Sequence, residues 1–457
     1  MTPKKLGLFD LTMLVISFVI GMGIFRTPAN VAAKSPTEFV FFISWIAGGI
    51  VALCGALTYA EIGSRLPVSG GYYKVISYAY HPSIAFGINC IILVSNAASS
   101  AAVALVGSEY ITGFLLPVST NPDYLKSAAN ADYVRMIQIS IAIISIVIFY
   151  GVNMMGLYFS ARTQTILTII KVSLVILLIS PLFFATGHVQ QAAGSIAGSV
   201  STIDAIKAFG VGLVAVSFTF GGYQQTINIG SEVDKPDKTI PRGIFLGILA
   251  IVVLYLLINY AYVRVIGFET LKDSKNIAAI MASKIFGQNA ERILSVLLFL
   301  GVLAYINGQL ISNPRVMFAM SDDKLLPGFF QFRNSKGALK WGVSFFAALI
   351  ILIVFWAKEF DTILGFTIFL DCFGMVLSAA SIFILRKRTA HLDDTGIYKM
   401  KLYPFMPIVF IAGYIFVAIS IAVDDYRTAL TGLGVLAVFI ILYFTVYKNQ
   451  QKHMSGT

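Results

Sequence analysis

Charged residues are scarce in this chain of 457 residues. Asp, Glu, Lys and Arg together make up 12% of the sequence, whereas 58% is hydrophobic. A soluble globular domain usually contains about 25% charged residues. A surface this apolar needs lipid around it, so the composition excludes an ordinary soluble enzyme or binding domain and indicates an integral membrane protein.

Cysteine is nearly absent as well. Cys54, Cys90 and Cys372 are the three cysteines, and each lies inside an apolar run. None therefore indicates a disulfide framework or a metal site. The four histidines show no zinc-like spacing, and no glycine-rich phosphate loop of an ATPase occurs. We expect no cofactor, no metal and no covalent chemistry from this chain, and hence not an enzyme.

Long polar stretches are missing too. Instead, windows of about 20 apolar residues recur along the whole chain, and a helix of this length can cross a bilayer. The sequence predicts twelve spans, at 10–33, 39–66, 81–116, 133–152, 158–186, 203–231, 241–265, 288–320, 341–357, 360–386, 404–423 and 427–448. The segment 276–287 is too short to span and is expected on the outer surface. No connection is long enough for a soluble domain, so residues 1–457 are predicted to form one all-α polytopic membrane domain.

The basic residues give the orientation. A net charge of +11 could indicate nucleic acid, but Lys and Arg are scattered through short loops between apolar runs. They are more frequent on the side that includes Lys4 and Lys5, which predicts that both termini are cytoplasmic. The first run lacks a small-residue cleavage site, so it is interpreted as a retained span. The location expected is the cell membrane (inner or plasma membrane), with no nucleic-acid partner.

The first apolar run is interrupted by Gly21 and Gly23. Glycine weakens a helix interior by about 1 kcal/mol relative to Ala, and a broken membrane helix must find partners for its freed backbone groups in protein, water or ligand. A half-helix beginning near Gly23 would present N–H groups that favour a carboxylate, and one ending near Ile20 would present carbonyls that favour an ammonium group. An amino acid carries both charges. The alternative is a glycine patch for close helix packing.

A second break lies five spans later. Phe218-Thr219-Phe220-Gly221-Gly222-Tyr223 interrupts the sixth span. Paired glycine-interrupted segments at corresponding positions indicate the binding site of an inverted-repeat transporter. The repeats are predicted at approximately 8–186 and 203–386, with two further helices at approximately 404–448.

Five motifs in order resemble the amino acid–polyamine–organocation (APC) superfamily, and within it the L-type amino acid transporter family. They lie along nearly the whole chain. They are Gly21-Met22-Gly23-Ile24-Phe25; Glu61 to Tyr73 with Pro67-Val68-Ser69-Gly70-Gly71; the sixth-span break with Glu232 and Pro241-Arg242; Ser312-Asn313-Pro314-Arg315 to Leu325-Leu326-Pro327; and Arg386 to Arg388 with Leu402-Tyr403-Pro404 and Pro407.

The resemblance implies the LeuT-type fold with broken helices 1 and 6, and alternating access. The substrate carboxylate would bind backbone N–H groups of Met22, Gly23 and Ile24, and its amine would bind carbonyls of Val19, Phe218 and Gly221. Phe220 and Gly222 belong to the same candidate substrate-binding break. Phe218 holds the position of the family's outer gating aromatic. Met22 replaces a serine of the family and Tyr223 a tryptophan.

Lys171 lies midway along the fifth span, too far from either end to reach a headgroup comfortably. An unpaired charge there is costly. The resemblance places this lysine where sodium-coupled relatives hold an ion, which implies sodium-independent transport with a coupling role for Lys171. The alternative is a structural lysine that caps carbonyls of a broken helix. Tyr255 matches a family tyrosine near this lysine, and a packing tyrosine is the alternative.

Asp371 is an acidic residue in the tenth span. By its spacing from Arg386 it matches a family position near the substrate side chain, where asparagine is common. It could bind a polar or cationic side chain or carry a proton, or it could be a hydrogen-bonded core carboxyl. Ser95, Asn96, Ser99 and Ser100 in the third span could reach the same pocket or serve helix packing.

Glu61 and Arg65 mark the cytoplasmic end of the second span. An ion pair between them could stabilise one closed state, and Glu232 could join that network.

The function expected is secondary active transport of neutral amino acids, by sodium-independent exchange or proton-linked uptake. A polyamine or cationic amino acid carrier is the alternative that Asp371 raises. A channel is disfavoured by the aromatic residues beside the second break, and an amino acid sensor by the absence of a signalling domain.

Eukaryotic L-type relatives pair with a heavy subunit through a cysteine in the loop after the third span. Residues 117–132 contain no cysteine, so no disulfide-linked partner is expected.

Overall fold

The computed structural model describes residues 5–21, 23–116, 128–184, 202–274, 277–278, 280–281, 288–356, 360–390 and 396–455. Within these ranges the chain is helical, and strand-like pairing is limited to three isolated bridges. The helices are α1 Leu8–Val19, α2 Gly23–Lys34, α3 Glu38–Arg65, α4 Gly71–Ala79, α5 Pro82–Leu115, α6 Ala128–Met154, α7 Leu157–Ile179, α8 Pro181–Phe184, α9 Thr202–Phe220, α10 Pro236–Ile266, α11 Phe268–Lys272, α12 Gln288–Asp322, α13 Lys340–Trp356, α14 Phe360–Arg388, α15 Phe405–Asp424 and α16 Tyr426–Ser455.

Eleven segments among the described residues are long and apolar enough to cross a membrane. They correspond to eleven of the twelve predicted spans, and the ninth predicted span, 341–357, corresponds to the shorter apolar helix α13. The all-α polytopic fold is therefore confirmed. The predicted outer segment 276–287 lies mostly outside the described residues. Helix α4 was not predicted as a helix because nine residues are too few to cross a bilayer.

The surface of the bundle is apolar and part of its interior is polar. Ile144, Ile148 and Val438 are more than half exposed, whereas Lys171, Gln164 and Asn307 are buried. This distribution is expected of a bundle surrounded by lipid, in which polar side chains face other helices.

The ends of several helices are set by local signals. The Thr37 side chain accepts a hydrogen bond from the backbone N–H of Val40 at 3.3 Å and caps α3. His81 caps α5, and Pro82 is the first helical residue, a position where its missing N–H costs nothing. These caps satisfy N–H groups in the first turn of α3 and of α5.

Two of the spans are interrupted. The first consists of α1 and α2, which are separated at Ile20 and Gly21. In the second, α9 ends at Phe220, and after Gly221 and Gly222 the chain continues as the 3-10 helices Tyr223–Asn228 and Gly230–Glu232. The prediction of a break at each position is confirmed, but the chain leaves the second break as a 3-10 helix.

The two interrupted spans are also joined through the backbone at one end. Leu6 lies beside Val233 in a bridge. The N–H of Leu6 donates to the carbonyl of Glu232 at 2.9 Å, and the N–H of Asp234 donates to the carbonyl of Leu6 at 2.9 Å. We call this end of the bundle the N-terminal face.

Candidate functional site

The two breaks lie against each other. A Cβ atom at Gly222 would be 2.4 Å from the carbonyl oxygen of Phe18 in α1, and a Cβ atom at Gly23 would be 3.0 Å from the hydroxyl of Thr219 in α9. Gly222 also has a φ of +114°, a conformation that L side chains rarely adopt. Glycine is therefore needed at Gly222 both for the turn and for the close approach of the two chains.

A cavity of about 60 Å³ lies beside this crossing. By the measure in which one water molecule needs roughly 10–15 Å³, it has room for several. It is lined by residues of both broken segments and of the neighbouring helices α5, α12, α14 and α15: Phe18, Val19, Gly21, Gly23, Asn96, Ser99, Val103, Ser217, Phe218, Thr219, Gly221, Gly222, Gln224, Gln225, Tyr305, Gln309, Ile368, Asp371, Met375 and Tyr414.

Most of the residues that the sequence singled out come together at this cavity. The lining includes six of the nine substrate-binding candidates, namely Val19, Gly23, Phe218, Gly221, Gly222 and Asp371. Of the four polar residues of the third span, Asn96 and Ser99 also line it, whereas Ser95 and Ser100 do not. Met22 lies outside the described residues. Ile24 and Phe220 are buried and do not belong to the lining, although both were candidates.

Phe220 packs into the aromatic core behind the cavity. Its ring centroid lies 5.1 Å from that of Tyr255 and 6.1 Å from that of Trp45. The sequence indicated only that an aromatic residue stands next to the glycine pair, and consecutive helical residues point in different directions. Phe218, two positions earlier, faces the cavity while Phe220 faces α3 and α10.

The carbonyl groups at the end of α1 have partners. The last turn of a helix leaves carbonyls without intrahelical bonds. The Nζ of Lys171 donates to the carbonyl of Ser17 at 3.1 Å and also to the carbonyl of Ile20. The hydroxyl of Tyr255 donates to the carbonyl of Val19 at 3.1 Å. Each carbonyl oxygen keeps a second lone pair for a further donor.

Lys171 itself is enclosed. Its side chain is 1% exposed, and its Cγ lies 3.6 Å from the place where a Cβ of Gly301 would be, so it bridges α1 and α12. Among the described residues no carboxylate pairs with it within 4 Å. Its hydrogen bonds to Ser17 and Ile20 go to main-chain carbonyls at the break, as both interpretations of this lysine require.

A network of polar side chains holds the break against α7 and α12. The side-chain amide of Gln164 donates to the hydroxyl of Ser17 and, at 2.8 Å, to the carbonyl of Ala304. Asn307 donates to the Gln164 side-chain oxygen at 2.5 Å and accepts from Asn153 at 2.8 Å. Such a network fixes α1 relative to its neighbours because every member has a partner.

Several lining residues were not found from the sequence. Gln224, Gln225, Tyr305 and Gln309 line the cavity and were not candidates. A usable signal existed for α12, because Tyr305 and Gln309 are four residues apart in an apolar span and therefore share a helix face. For Gln224 and Gln225 the signal was their position directly after the second break.

At the N-terminal face, Glu61 is fully buried among donors. It accepts from Arg65 at 2.9 Å, from Arg386 at 2.8 and 2.6 Å, and from the N–H of Met400 at 2.9 Å. This cluster joins α3 to α14 and to the segment before α15. The ion pair suggested by the sequence is present.

Glu232 belongs to a different cluster at the same face. It pairs with Arg315 of α12 at 2.6 Å and approaches Arg333 at 3.9 Å. It was expected as a possible member of the Glu61 network, but the break turns its segment towards α12. Asn228, close by, donates to the hydroxyl of Ser312 at 2.9 Å and fixes the same segment to α12.

Lys74 of α4 forms a third, more exposed contact at this face. Its Nζ lies 2.6 Å from Asp323 and 3.1 Å from Asp322. Burial lowers the pKa of Lys74, but the hydrogen bonds and charges of the two aspartates outweigh it and raise the pKa above its ordinary value. The N-terminal face is thus closed by contacts between separate elements.

No group of three or more His, Cys, Asp or Glu side chains that could hold a metal ion was found in the part of the chain that the structure describes.

Comparison with known proteins gives consistent results over nearly the whole length. A family model described as "Amino acid permease" matches residues 6–447. The serine/threonine exchanger SteT of Bacillus subtilis is 27% identical over 438 residues, which are 95% of this chain and 94% of that protein.

Two mammalian proteins show similar coverage. The large neutral amino acids transporter small subunit 2 of Oryctolagus cuniculus is 24% identical over 449 residues, covering 96% of this chain and 80% of that protein. The cystine/glutamate transporter of Homo sapiens is 25% identical over 449 residues, covering 96% of this chain and 85% of that protein.

Proposed function

The chain belongs to the amino acid permease family, and we propose that it is a secondary active transporter that exchanges neutral amino acids by alternating access, without sodium. The relatives support this, since SteT is named as an exchanger and the two mammalian proteins as amino acid transporters. No energising ATPase is part of the proposal, and gradients of substrate drive the exchange.

The observation that carries the proposal is the crossing of the two breaks at the cavity. The first turn of any helix has N–H groups without intrahelical partners and a partial positive charge, so the N-terminal end of α2 suits a carboxylate. The end of α1 and the second break supply carbonyls, which suit an ammonium group. We assign the carboxylate to Met22, Gly23 and Ile24. We assign the amine to the carbonyls of Val19, Phe218 and Gly221. Phe220 and Gly222 shape the second break.

The same arrangement suggests how the transporter moves. Two inverted repeats, at approximately 8–186 and 203–386, rock around the site while the helices at approximately 404–448 remain outside the repeats. Phe218 closes the cavity on the outer side. Lys171 of α7 and Tyr255 of α10 bind carbonyls at the end of α1. A movement of this break is therefore coupled to α7 and α10.

The protein is multi-pass, and we place it in the cell membrane with both termini in the cytoplasm. The support is the excess of Lys and Arg in the loops on that side. The N-terminal face then faces the cytoplasm. The contacts of Glu61, Glu232 and Lys74 accordingly close the cytoplasmic side.

We further propose that the chain works without a disulfide-linked partner. Cys54, Cys90 and Cys372 lie within α3, α5 and α14 and are buried or half-buried. An outer-loop thiol is what a covalent heavy subunit would need. On non-reducing gels of native membranes the chain should run as in reducing gels, and a heavier band that reductant converts to the monomer would contradict this.

Reconstitution into liposomes tests the main proposal. Vesicles are preloaded with a mixture of neutral amino acids, and uptake of a labelled amino acid is followed. Exchange predicts rapid, saturable uptake into loaded vesicles and slow uptake into empty ones. Equal, non-saturating flux in both would indicate a channel, and binding without uptake would indicate a sensor. Uptake into empty vesicles that follows an imposed proton gradient would replace exchange by proton-linked transport.

A further inference from the structure

One wall of the cavity is polar although it lies inside the bundle. It is formed by side chains from α5, α12, α14 and the 3-10 helix after the second break: Asn96, Ser99, Gln224, Gln225, Tyr305, Gln309 and Asp371. A second cavity of about 20 Å³ continues this wall and shares Asn96, Gln224, Gln225 and Asp371 with the first. Its volume is enough for about one water molecule.

Part of this wall is formed by side-chain amides that hydrogen-bond to one another in series. Gln225 donates to the Asn96 oxygen at 3.4 Å, Asn96 donates to the Asn313 oxygen at 2.7 Å, and Asn313 donates to the Gln309 oxygen at 2.7 Å. Gln225, Asn96 and Asn313 each donate to the next amide in this series, which fixes the orientation of each. Reversing any one amide would place two donors or two acceptors face to face.

Two acceptors of the wall have room for a further donor. The first is Oε1 of Gln225, which is buried and has no hydrogen-bond partner. The second belongs to Asp371, whose described hydrogen bond is the one that Ser95 donates to Oδ1 at 3.0 Å. A carboxyl group can make several hydrogen bonds, so the one from Ser95 leaves Asp371 with room for more.

The surroundings of Asp371 do not supply a positive charge. The titratable groups that face it are Tyr72 from α4, Tyr305 from α12, Tyr414 from α15 and its neighbour Cys372. None of them is a cation. Among the described residues no Lys, Arg or His forms an ion pair with this carboxyl. Beyond the Ser95 hydroxyl, a further donor for Asp371 is expected to come from water or from the ligand.

A ligand that fills this part of the cavity displaces the water there. If its side chain is apolar, the remaining acceptor positions of Asp371 and Gln225 lose contact with water and get no donor in return, which disfavours binding. A hydroxyl or carboxamide supplies one or two N–H or O–H donors at the same place. A site built around a hydrogen bond rejects the isostere that lacks it far more strongly than an apolar pocket distinguishes one methylene group.

We propose that Asp371 and Gln225 form a side-chain subsite that selects neutral amino acids with a hydrogen-bond donor in the side chain, a hydroxyl or a carboxamide. This inference rests on the proposed function, because it takes the ligand to be an amino acid held by the two breaks. It makes Asp371 and Gln225 specificity-determining residues that contact the substrate.

The test uses isosteric pairs in liposome counterflow. Threonine is compared with valine and asparagine with leucine, with lysine as the cationic member, and each competes for uptake of labelled threonine. We expect threonine and asparagine to compete at least about tenfold better than their apolar partners. Valine equal to threonine would overturn the inference, and so would lysine as the best competitor, which would indicate a cationic subsite.

Variants then locate the effect. In Asp371→Leu the threonine-to-valine ratio should fall close to one, mainly because threonine binds more weakly. Asp371→Asn keeps an acceptor oxygen and should retain a clear preference, and Gln225→Leu should reduce the asparagine-to-leucine ratio. Cys372→Ala is the matched control, since Cys372 is buried on the same helix and does not line the cavity. It should leave both ratios unchanged.

The outcomes separate the two proposals. If no amino acid exchanges in the wild type, the proposed function fails and the subsite fails with it. If amino acids exchange but the isosteric pairs do not differ, only the subsite fails. If Asp371→Leu does not fold, the wild-type ratios and those of Asp371→Asn and Gln225→Leu still decide.

Discussion

The ammonium group of Lys171 donates a hydrogen bond to the main-chain carbonyl of Ser17 at 3.1 Å, inside the membrane and at the place where the first helix ends. A second bond from the same group reaches Ile20. Lys171→Met should leave both carbonyls short of a donor, at roughly 1–3 kcal/mol for each unsatisfied group. We expect transport to fall by at least about tenfold.

Two measurements distinguish a coupling role of Lys171 from packing alone. In the coupling case the variant still binds substrate, seen as a ligand-induced rise in melting temperature, but no longer exchanges it. In the packing case binding and exchange fall together with stability. Lys207→Met serves as the control, because Lys207 is exposed on α9 and such a change is usually within about 0.5 kcal/mol. Normal exchange by Lys171→Met would exclude both roles.

Sodium independence is the second prediction. The Lys171 side chain lies between α1 and α12, beside Gly301, and its positive charge already occupies the carbonyls at the break. A sodium ion at the carbonyls of Ser17 and Ile20 would be repelled, whereas the amine of the substrate is assigned to other carbonyls, those of Val19, Phe218 and Gly221. Uptake into preloaded liposomes should therefore change less than about twofold when choline replaces sodium on both sides, and loss of uptake in choline would refute the prediction.

The third prediction concerns the turn at the second break. A Cβ at Gly222 would lie 2.4 Å from the carbonyl oxygen of Phe18, and the φ of +114° is unfavourable for any L side chain. Gly222→Ala should lower the melting temperature strongly or prevent folding, since the conformation alone costs about 1–2 kcal/mol.

Gly151 provides the comparison for this substitution. It lies in α6 with open space where a Cβ would be. Because Ala is favoured over Gly in a helix by about 0.5–1 kcal/mol, Gly151→Ala should keep or slightly raise the melting temperature. Equal melting temperatures of the two variants would show that the crossing does not require glycine at Gly222.

The fourth prediction ranks two contacts of the N-terminal face. Glu61 is fully buried between Arg65 and Arg386. Glu61→Gln removes the fully buried carboxylate that both arginines contact, and breaking a buried ion pair costs about 3–5 kcal/mol. Lys74→Gln removes a partly exposed contact with Asp322 and Asp323, worth about 0–1 kcal/mol. The melting temperature should therefore fall much further for Glu61→Gln.

The pH range for this comparison follows from the pKa of Lys74. Because the pKa is raised in the folded protein, the stabilisation from this contact is complete below the ordinary value of 10.5 and is lost only as the pH rises through the folded pKa. Measurements near neutral pH thus see the contact fully formed. A larger loss for Lys74→Gln than for Glu61→Gln would contradict the ranking.

The spans and both breaks were predictable from the sequence for simple physical reasons. A run of apolar residues long enough to cross a bilayer has few alternatives to a helix, and the glycines at Gly21, Gly23, Gly221 and Gly222 mark the places where the helix is weakest. The sequence does not determine the path of the chain after the second break, because the 3-10 helix from Tyr223 is held by tertiary contacts such as that of Asn228 with Ser312.

The cavity was predictable only in part. Backbone candidates such as Val19 and Gly221 followed from the breaks, whereas the side chains of the polar wall depend on the rotation of each helix about its axis. Tyr305 and Gln309 face the cavity, but Asn307 between them turns to Gln164. In the same way, Phe218 faces the cavity whereas Phe220 packs into the aromatic core. An apolar span that is buried on most sides has no amphipathic pattern that fixes its rotation.

The bridge between Leu6 and Val233 is made by main-chain atoms alone, so it does not depend on which side chains stand at those positions. Side chains that line the cavity can therefore change without releasing the first interrupted span from the second. Transporters for different substrates can thus keep the two interrupted spans joined and differ only in the side chains that contact the substrate.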